Sequence, residues 1–290
     1  MTADQLPPIF VINLKDSLDR RTNITAQLSA LGCDFEFVEA VDGRNLNEEE
    51  LKQYSKEATI QNWTNKAQRG LSPGEIGCAL SHLKVYQKIA DEGIEEAVIL
   101  EDDAVMGTDF VDVLRNRDLF PEDWMIVQLD HETTYMFSRG APVSFWGRKQ
   151  IYRNYKIARF VEYTWRNTGC LIRKETAKIL LDFGYPVRMT SDTLTSGNCG
   201  EIAIKSYGIK PPCISLATHV QSDISARGRG LEKLSGMSPY VVGTAVFLMQ
   251  YPRTFHFLRV IRRLIKSLWL APSVFLRQAG IIKKMRVPYW

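Results

Sequence analysis

The chain has 290 residues, of which 45% are hydrophobic and 24% charged, and its formal net charge is +4. This is ample apolar material for one large domain or two small ones, which excludes an intrinsically disordered protein. Its five cysteines lie far apart without a Cys-x-x-Cys pair, and no apolar signal segment follows the first charged residues, so we expect a reducing cytosol and no structural zinc site.

The first forty residues predict a strand, a helix and a second strand. Residues 8–14 form an apolar run typical of a buried strand. A helix should begin after Asp16-Ser17 and end at Leu31-Gly32, and residues 35–41 alternate as a second strand. This β-α-β order favours a mostly parallel α/β sheet. Residues 44–70 are polar and predict an irregular, flexible excursion.

The next predicted element is a long helix over residues 73–92. It begins at a capping box, Ser72-Pro73-Gly74-Glu75, with proline at the first helical position. Its apolar residues recur at helical spacing over a wide arc, so the helix should be mostly buried. His82 lies inside that arc and is more typical of a hydrogen-bonded core histidine than of a catalyst. Glu75 is likewise more typical of a helix cap.

Three consecutive acids end the next strand. Residues 97–100 form a short, β-branched apolar run after a helix stop, which predicts a buried parallel strand, and Glu101, Asp102 and Asp103 follow it. In open α/β sheets ligands bind outside the carboxyl ends of strands, where a cation can offset such repulsion. Glu101 and Asp103 point the same way in an extended segment and suit Mn²⁺ or Mg²⁺. A solvated acidic loop is the alternative, whereas the spacing excludes a haloacid-dehalogenase-type phosphatase.

The remaining elements continue the alternation of strands and helices. Residues 124–130 predict a buried strand that again ends in an acid, Asp130. Residues 131–160 predict a loop or a small hairpin layer, and a strand at 168–172 leads into a helix over 174–183. The fold class predicted from this pattern is α/β.

Taken in order, three segments resemble glycosyltransferase family 25. They are IFVINL at residues 9–14 with Asp-Arg-Arg at 19–21, GEIGCALSH at 74–82, and LEDD at 100–103. The resemblance covers about residues 8–225. That family includes bacterial lipooligosaccharide β-galactosyltransferases and collagen galactosyltransferases. The resemblance implies a GT-A-type, mostly parallel sheet flanked by helices, a nucleotide-sugar donor such as UDP-galactose, and inversion at the anomeric carbon.

The resemblance also implies roles for residues near the first strand and the acids. Asp103 becomes a metal ligand, and Glu101 faces the ribose or a metal-bound water. Asn13, Arg20 and Arg21 would lie near the nucleotide, although Arg21 is equally typical of a surface helix face.

A second segment of the family pattern matches in part. Thr168 and Gly169 match donor-binding residues of the family's Gly-Thr-x-Gly-Tyr pattern. Asn167 and Cys170 replace its usual first glycine and its aromatic residue. The donor sugar is therefore the least secure inference from the resemblance.

An inverting reaction needs a general base to deprotonate the acceptor hydroxyl. Asp192 matches the acid of the family's Pro-x-Asp segment, although the proline is absent here, and it is our first candidate. Asp130 is the second and Glu201 the third, with a solvated loop aspartate as the alternative. His219 is a candidate third metal ligand because GT-A enzymes often use a late histidine; the alternative is an ordinary loop histidine.

The end of the chain differs in charge from the rest. Residues 233–290 hold ten of the 37 basic residues and no acid, which leaves 27 basic and all 33 acidic residues in 1–232. Residues 255–270 place apolar side chains on one face and basic ones on the other, the pattern of an in-plane membrane anchor. A helix packed on the catalytic domain is the alternative. Nucleic-acid binding has only the charge in its favour, and anionic lipid fits better.

The sequence therefore predicts a GT-A-like catalytic domain at 1–232 and a basic amphipathic membrane-associating tail at 233–290. The predicted function is Mn²⁺- or Mg²⁺-dependent transfer of galactose from UDP-galactose to a lipid-linked oligosaccharide at the inner face of the cytoplasmic membrane. The alternatives are a glucosyltransferase or N-acetylhexosaminyltransferase with the same machinery, and a catalytically silent carbohydrate- or membrane-binding relative. The oligomeric state does not follow from the sequence.

Overall fold

A computed structural model of the chain describes residues 5–54, 59–61, 68–131, 144, 147–160, 166–195, 202 and 204–217. The helices are α1 Leu18–Ala30, α2 Glu48–Tyr54, α3 Pro73–Asp91, α4 Phe110–Arg115, α5 Lys174–Gly184 and α6 Ser191–Thr195. The strands are β1 Ile9–Asn13, β2 Glu36–Glu39, β3 Thr59–Gln61, β4 Gln68–Gly70, β5 Glu96–Glu101, β6 Ala104–Met106, β7 Ile126–Gln128, β8 Lys149–Tyr152, β9 Tyr155–Arg159, β10 Gly169–Arg173, β11 Ser206–Lys210 and β12 Ile214–Leu216.

One large sheet organises the described residues. Its eight strands lie in the order β2-β1-β5-β10-β7-β11-β9-β8. Strands β2, β1, β5, β7, β11 and β8 run in one direction, and β10 and β9 run in the other. The sheet is therefore mixed but mostly parallel. Strand β12 pairs with β6, and β3 pairs with β4, as two small separate sheets.

Helices cover both faces of the large sheet. On one face α1 and α4 pack against alternate residues of the central strands, such as Val98, Leu100 and Val127. On the other face α3, α5 and α6 pack against the residues between them, such as Ile99 and Ile126. Because successive side chains of a strand point to opposite faces, each central strand contributes to both cores. The predicted α/β sheet flanked by helices is confirmed.

The helix predicted at 73–92 is present as α3 and begins as expected. Ser72 Oγ accepts from the Glu75 N–H, and the Glu75 carboxylate accepts from the Ser72 N–H at 2.8 Å. His82 is 1% exposed, so it is a buried histidine of the helix core as predicted. The strands predicted at 8–14, 35–41, 97–100 and 124–130 are also found.

Several sequence predictions need correction. Residues 44–70 are not wholly irregular, because they include α2 and the paired strands β3 and β4. The hairpin of residues 149–159 does not form a separate layer, since β9 pairs with β11 and extends the main sheet. Strand β10 runs antiparallel between β5 and β7. Ser17 precedes α1, but its side chain makes no capping hydrogen bond.

Some predictions lie outside the described residues. These are Glu201, His219 and the whole segment 233–290, including the amphipathic pattern at 255–270. Within the part of the chain that the structure describes, no helix is both long and apolar enough to cross a membrane.

The start of α3 lies unusually close to the turn after β2. A Cβ atom on Gly77 would be 2.5 Å from the Val41 carbonyl oxygen and 2.6 Å from the Gly43 nitrogen. One turn later, Ser81 Oγ accepts from the Val41 N–H at 2.8 Å and donates to the Gly77 carbonyl at 2.6 Å. Glycine and a short hydroxyl side chain therefore hold α3 against the backbone of this turn.

Gly77→Ala should destabilise the protein by about 1–3 kcal/mol, because the added methyl group overlaps backbone atoms that have little room to move. Helix propensity alone predicts the opposite sign, a gain of about 1 kcal/mol for replacing glycine inside a helix. Thermal and urea denaturation of the variant and the parent protein decide between them. An unchanged or higher stability would show that the close approach does not constrain the fold.

Candidate active site

The predicted acids lie at the carboxyl ends of neighbouring parallel strands. Strands β1 and β5 pair with Ile12 opposite Glu101, so Asn13 and Asp102 follow side by side. Asn13 Nδ2 donates to Asp102 Oδ2 at 2.7 Å. Arg20 Nη1, from the first turn of α1, donates to Asp102 Oδ1 at 3.2 Å. Asp102 is buried, and it therefore joins β1, α1 and β5.

Arg21 lies one residue further along α1 and is also held by the protein. Its guanidinium is 3.8 Å from the centroid of the Phe37 ring, and its Nη1 donates to Asn13 Oδ1 at 3.4 Å. Asn13, Arg20 and Arg21 thus gather beside the acids, and their proximity to a nucleotide stays a prediction. The contacts described for them are contacts within the chain, so these residues shape this edge of the sheet whatever they contact in a ligand.

Asp103 differs from Asp102 in its surroundings. Its Oδ1 is buried and has no hydrogen-bond partner, and Arg20 Nη1 is 3.9 Å from its Oδ2. Burial first, and then the negative charges of Glu101 and Asp102, raise the pKa of Asp103 to about 7, against a smaller opposing effect of Arg20. An unpartnered carboxylate oxygen among other carboxylates fits a hard divalent cation.

Strand β6, which follows the acids, pairs with β12, and this pairing brings Ala217 close to Asp103. The Ala217 N–H, just past β12, donates to the Asp103 carbonyl at 3.0 Å. Ala217 is therefore beside the acids, although His219 itself lies outside the described residues.

Glu101 is held from the α3 side of the sheet. Its Oε1 is 3.2 Å from His82 Nε2 and 3.8 Å from Cys78 Sγ. Asn167 Nδ2 is 3.3 Å from His82 Nδ1. The same Asn167 nitrogen is 3.4 Å from His82 Nε2, so the imidazole lies between Asn167 and Glu101. The Glu101 side chain is still 28% exposed, so solvent and ligands reach its carboxylate.

The segment that leads into β10 lies directly beside this acid. The Thr168 carbonyl accepts from the Glu101 N–H at 2.9 Å, and Gly169 is opposite Leu100. A Cβ atom on Gly169 would be 2.8 Å from Leu100 Cδ2, so only glycine fits there without movement. Thr168 and Gly169 are thus placed next to Glu101, and their role in donor binding stays a prediction.

The first candidate base is on the same face as Glu101. Asp192 begins α6, which packs against α3, and its Oδ1 accepts from the Thr193 N–H at 2.8 Å and from Thr190 Oγ1. The preceding Ser191 Oγ is 3.4 Å from Cys78 Sγ. Burial and then the charge of Glu101 raise the pKa of the Cys78 thiol, with smaller contributions from Asp192 and Asp103. Asp192 is half-buried.

The second candidate base, Asp130, is more enclosed. It is 4% exposed, and Arg166 Nη1 is 3.6 Å from its Oδ2. Burial raises its pKa, while Arg166 and a hydrogen bond from the Thr168 side chain lower it. Arg166 has φ +79°, a conformation rare for residues other than glycine. This burial makes Asp130 better suited to positioning than to proton transfer with a large acceptor.

Three residues around these acids were missed as site residues in the sequence. Cys78 and Asn167 contact the Glu101–His82 pair, and Arg166 pairs with Asp130. The four-residue spacing of Cys78 and His82 on one helix face was the only local signal. The contacts of Asn167 and Arg166 depend on the position of β10, which local patterns do not indicate.

Comparison with known proteins places the chain among sugar transferases. Residues 6–195 match the family model described as Glycosyltransferase family 25 (LPS biosynthesis protein). Procollagen galactosyltransferase 2 of Mus musculus is 36% identical over 128 residues, which cover 44% of this chain and 20% of the mouse protein. Inactive glycosyltransferase 25 family member 3 of Mus musculus is 29% identical over 150 residues, or 52% of this chain and 23% of that protein. The chain thus spans about a fifth of the length of these curated relatives.

Two solved structures also resemble the chain. One is a glycosyltransferase involved in the glycosylation of the major capsid of PBCV-1; the match has 13% identity, a TM-score of 0.31, and covers 62% of this chain and 66% of that one. The other is mouse xyloside xylosyltransferase 1 in its apo form, with 11% identity, a TM-score of 0.33, and coverage of 68% and 69%.

Asp102→Asn and Asp103→Asn should change stability in opposite directions when measured with a chelator present. Burial also raises the pKa of Asp102, against the effects of Asn13 and Arg20, but Asp102→Asn weakens the bonds from both of these residues and should cost about 1–3 kcal/mol. Asp103→Asn removes a carboxylate whose pKa is raised to about 7 in the folded protein. In the parent protein, ionisation of Asp103 therefore lowers the free energy of unfolding progressively as the pH rises from the ordinary pKa of an aspartate to about 7. The stability gained by Asp103→Asn should therefore grow by on the order of 2 kcal/mol between pH 5 and pH 8.

Urea denaturation of both variants at the two pH values is the measurement. If Asp103→Asn lost as much stability as Asp102→Asn, Asp103 would be stabilising the fold in the same way as Asp102. That result would contradict the proposal that Asp102 stabilises the fold and that ionised Asp103 destabilises it.

Proposed function

From its membership of glycosyltransferase family 25, to which the chain belongs, we propose that it is a metal-dependent, inverting hexosyltransferase. The proposed reaction transfers galactose from UDP-galactose to the saccharide of a lipooligosaccharide or lipopolysaccharide acceptor. The observation that carries this proposal is the unpartnered, buried Oδ1 of Asp103 beside Glu101 at the ends of β1 and β5. In support, the family description names LPS biosynthesis, and curated relatives include procollagen galactosyltransferases.

Asp103 and Glu101 would hold Mn²⁺ or Mg²⁺, since oxygen ligands suit both ions. When bound, such a cation neutralises charge on the departing diphosphate. His219 would add a third ligand, which is consistent with the contact of Ala217 with Asp103. Asn13, Arg20, Arg21, Thr168 and Gly169 would line the donor side in a GT-A-type arrangement.

Asp192 is the proposed general base. Its Oδ1 is fixed by the Thr193 N–H and Thr190 Oγ1, which orients the carboxylate. It takes the proton of the acceptor hydroxyl as that oxygen attacks the anomeric carbon from the side opposite the diphosphate. Asp130 is the alternative base, and its burial and its pairing with Arg166 count against it.

The acceptor and the location follow from the basic segment 233–290. Its charge of ten basic residues without an acid and the amphipathic pattern at 255–270 support a peripheral enzyme at the inner face of the cytoplasmic membrane. A lipid-linked acceptor would be presented at that surface. We propose no role in nucleic-acid binding.

Two alternatives remain open to experiment. One is a glucosyl or N-acetylhexosaminyl donor, since Asn167 and Cys170 replace residues of the family's donor segment. The other is a silent carbohydrate- or membrane-binding protein, which has a precedent in the relative named Inactive glycosyltransferase 25 family member 3.

Incubation of the purified protein with a panel of UDP-sugars should give Mn²⁺-dependent release of UDP, fastest from UDP-galactose. Chelation should abolish the release, and Asp103→Ala should lower it by about a hundredfold or more, because several kcal/mol of charge stabilisation are lost. Release that persists with chelator or in Asp103→Ala would overturn the proposed metal site. No turnover and no nucleotide binding with any donor would favour the silent alternative.

Asp192→Asn should lower kcat for transfer to a saccharide acceptor by about 10²–10⁴-fold while leaving the Kd for UDP and Mn²⁺ unchanged, because only proton removal is affected. The matched control is Asp182→Asn, on the exposed surface of α5, which should transfer at the rate of the parent. Substantial turnover in Asp192→Asn combined with loss of activity in Asp130→Asn would move the base to Asp130.

A further inference from the structure

Three side chains of different chemistry meet between α3 and the end of β5. Cys78 and His82 are four residues apart and therefore lie one above the other on one face of α3. Glu101 ends β5 opposite them. The Cys78 Sγ, a His82 ring nitrogen and a Glu101 carboxylate oxygen all lie within 4.8 Å of one another. A thiol, an imidazole and a carboxylate together are a ligand set typical of zinc, not of manganese or magnesium.

The distances in this cluster are close to those of a coordinated ion. A tetrahedral Zn²⁺ with its usual bond lengths to sulfur, nitrogen and oxygen holds its ligand atoms about 3.3–3.6 Å apart. His82 Nε2 and Glu101 Oε1 are 3.2 Å apart, and Cys78 Sγ and Glu101 Oε1 are 3.8 Å apart. The third separation, between Cys78 Sγ and the His82 ring nitrogen, is within 4.8 Å, so coordination requires the thiol and the imidazole to turn toward a common point beside Glu101.

Asn167 provides the outer support that a coordinating histidine requires. A histidine that binds a metal through Nε2 carries its proton on Nδ1 and donates it to a neighbouring acceptor. Asn167 is 3% exposed, its amide lies 3.3 Å from His82 Nδ1, and its Oδ1 is buried without a partner. The amide nitrogen is also 3.4 Å from Nε2, and a half-turn of the amide brings the unpartnered oxygen to face the imidazole in its place.

We propose that Cys78, His82 and Glu101 form a binding site for a thiophilic divalent cation of the Zn²⁺ class, with Asn167 orienting the imidazole. Binding transfers the Cys78 thiol proton to solvent, and the neutral His82 ring carries its proton on Nδ1 when Nε2 coordinates. This site differs from the Asp103 site in its sulfur and nitrogen ligands, and the two share Glu101.

The shared carboxylate has a functional consequence, which rests on the proposed transferase activity. A Zn²⁺ ion that draws Glu101 toward Cys78 and His82 removes this carboxylate from the Asp103 side. Occupancy of the thiol-containing site should therefore inhibit Mn²⁺-supported transfer. The binding itself does not depend on any activity.

The test is a titration of the reduced, purified protein with Co²⁺, which reports a thiolate ligand by charge-transfer absorption in the near ultraviolet. We expect one equivalent to give this band together with the strong visible bands of a tetrahedral site, and Zn²⁺ to displace it. Cys78→Ala should lose the charge-transfer band. The matched control Cys170→Ala, which changes a buried thiol on β10 outside the cluster, should keep it.

Circular dichroism establishes that each variant is folded, and His82→Gln gives a second test if Cys78→Ala is not. His82→Gln should weaken Co²⁺ binding by about tenfold or more. Absence of the band in the parent, or an unchanged band in folded Cys78→Ala, would overturn the site.

Activity assays separate this proposal from the proposed function. Added Zn²⁺ should inhibit the Mn²⁺-supported activity of the parent protein. The same addition should leave the activity of Cys78→Ala unchanged. A Cys78-dependent band in a protein with no transferase activity would uphold the cation site and reject the transferase. Transferase activity without such a band would uphold the transferase and reject the cation site.

Discussion

The structure around the proposed active site depends on electrostatic repulsion among three consecutive carboxylates at the end of a buried strand. Each acid meets this repulsion in a different way. Glu101 lies 3.2 Å from His82 Nε2, and Asp102 accepts from Asn13 and Arg20. Asp103 keeps a buried oxygen without a partner. The contacts of Glu101 require α3 to be in place, and the contacts of Asp102 require β1 and α1. The packing of these three elements therefore decides how far the repulsion among the acids is offset.

Helix α3 transmits that constraint through its first three turns. The capping box fixes where the helix begins, and Gly77 lets it approach the turn after β2. Ser81 then ties the helix to the Val41 N–H, and His82 reaches Glu101. The identities of Gly77, Ser81 and His82 are therefore each explained by a contact with another segment of the chain. A shift of this helix by an ångström would separate His82 from Glu101.

The sequence predicted local elements well and long-range partners poorly. Strands β1 and β5 and helix α3 were predictable because apolar periodicity, a capping box and glycine stops are local signals. The antiparallel insertion of β10 between β5 and β7 was not, because strand order is set by the whole sheet. The same limit applies to Asn167 and Arg166, whose partners become visible only when β10 is placed. The three acids share one chemistry in the sequence, so their division into structural and strained carboxylates required the neighbours that the fold supplies.

The charge balance of the site argues for a cationic partner. Glu101, Asp102, Asp103 and Asp192 gather at one edge, and among the described side chains there Arg20 is the cation within 4 Å of two of these acids. A nucleotide diphosphate would bring further negative charge to this edge, which Coulomb repulsion disfavours strongly in a partly buried site. Arg20 is bound mainly to Asp102, so it reduces the repulsion enough for folding but leaves Asp103 strained. In the proposed function, a divalent cation at Asp103 would relieve that strain and also attract the diphosphate, so the cost that Asp103 imposes on the fold would become free energy for donor binding.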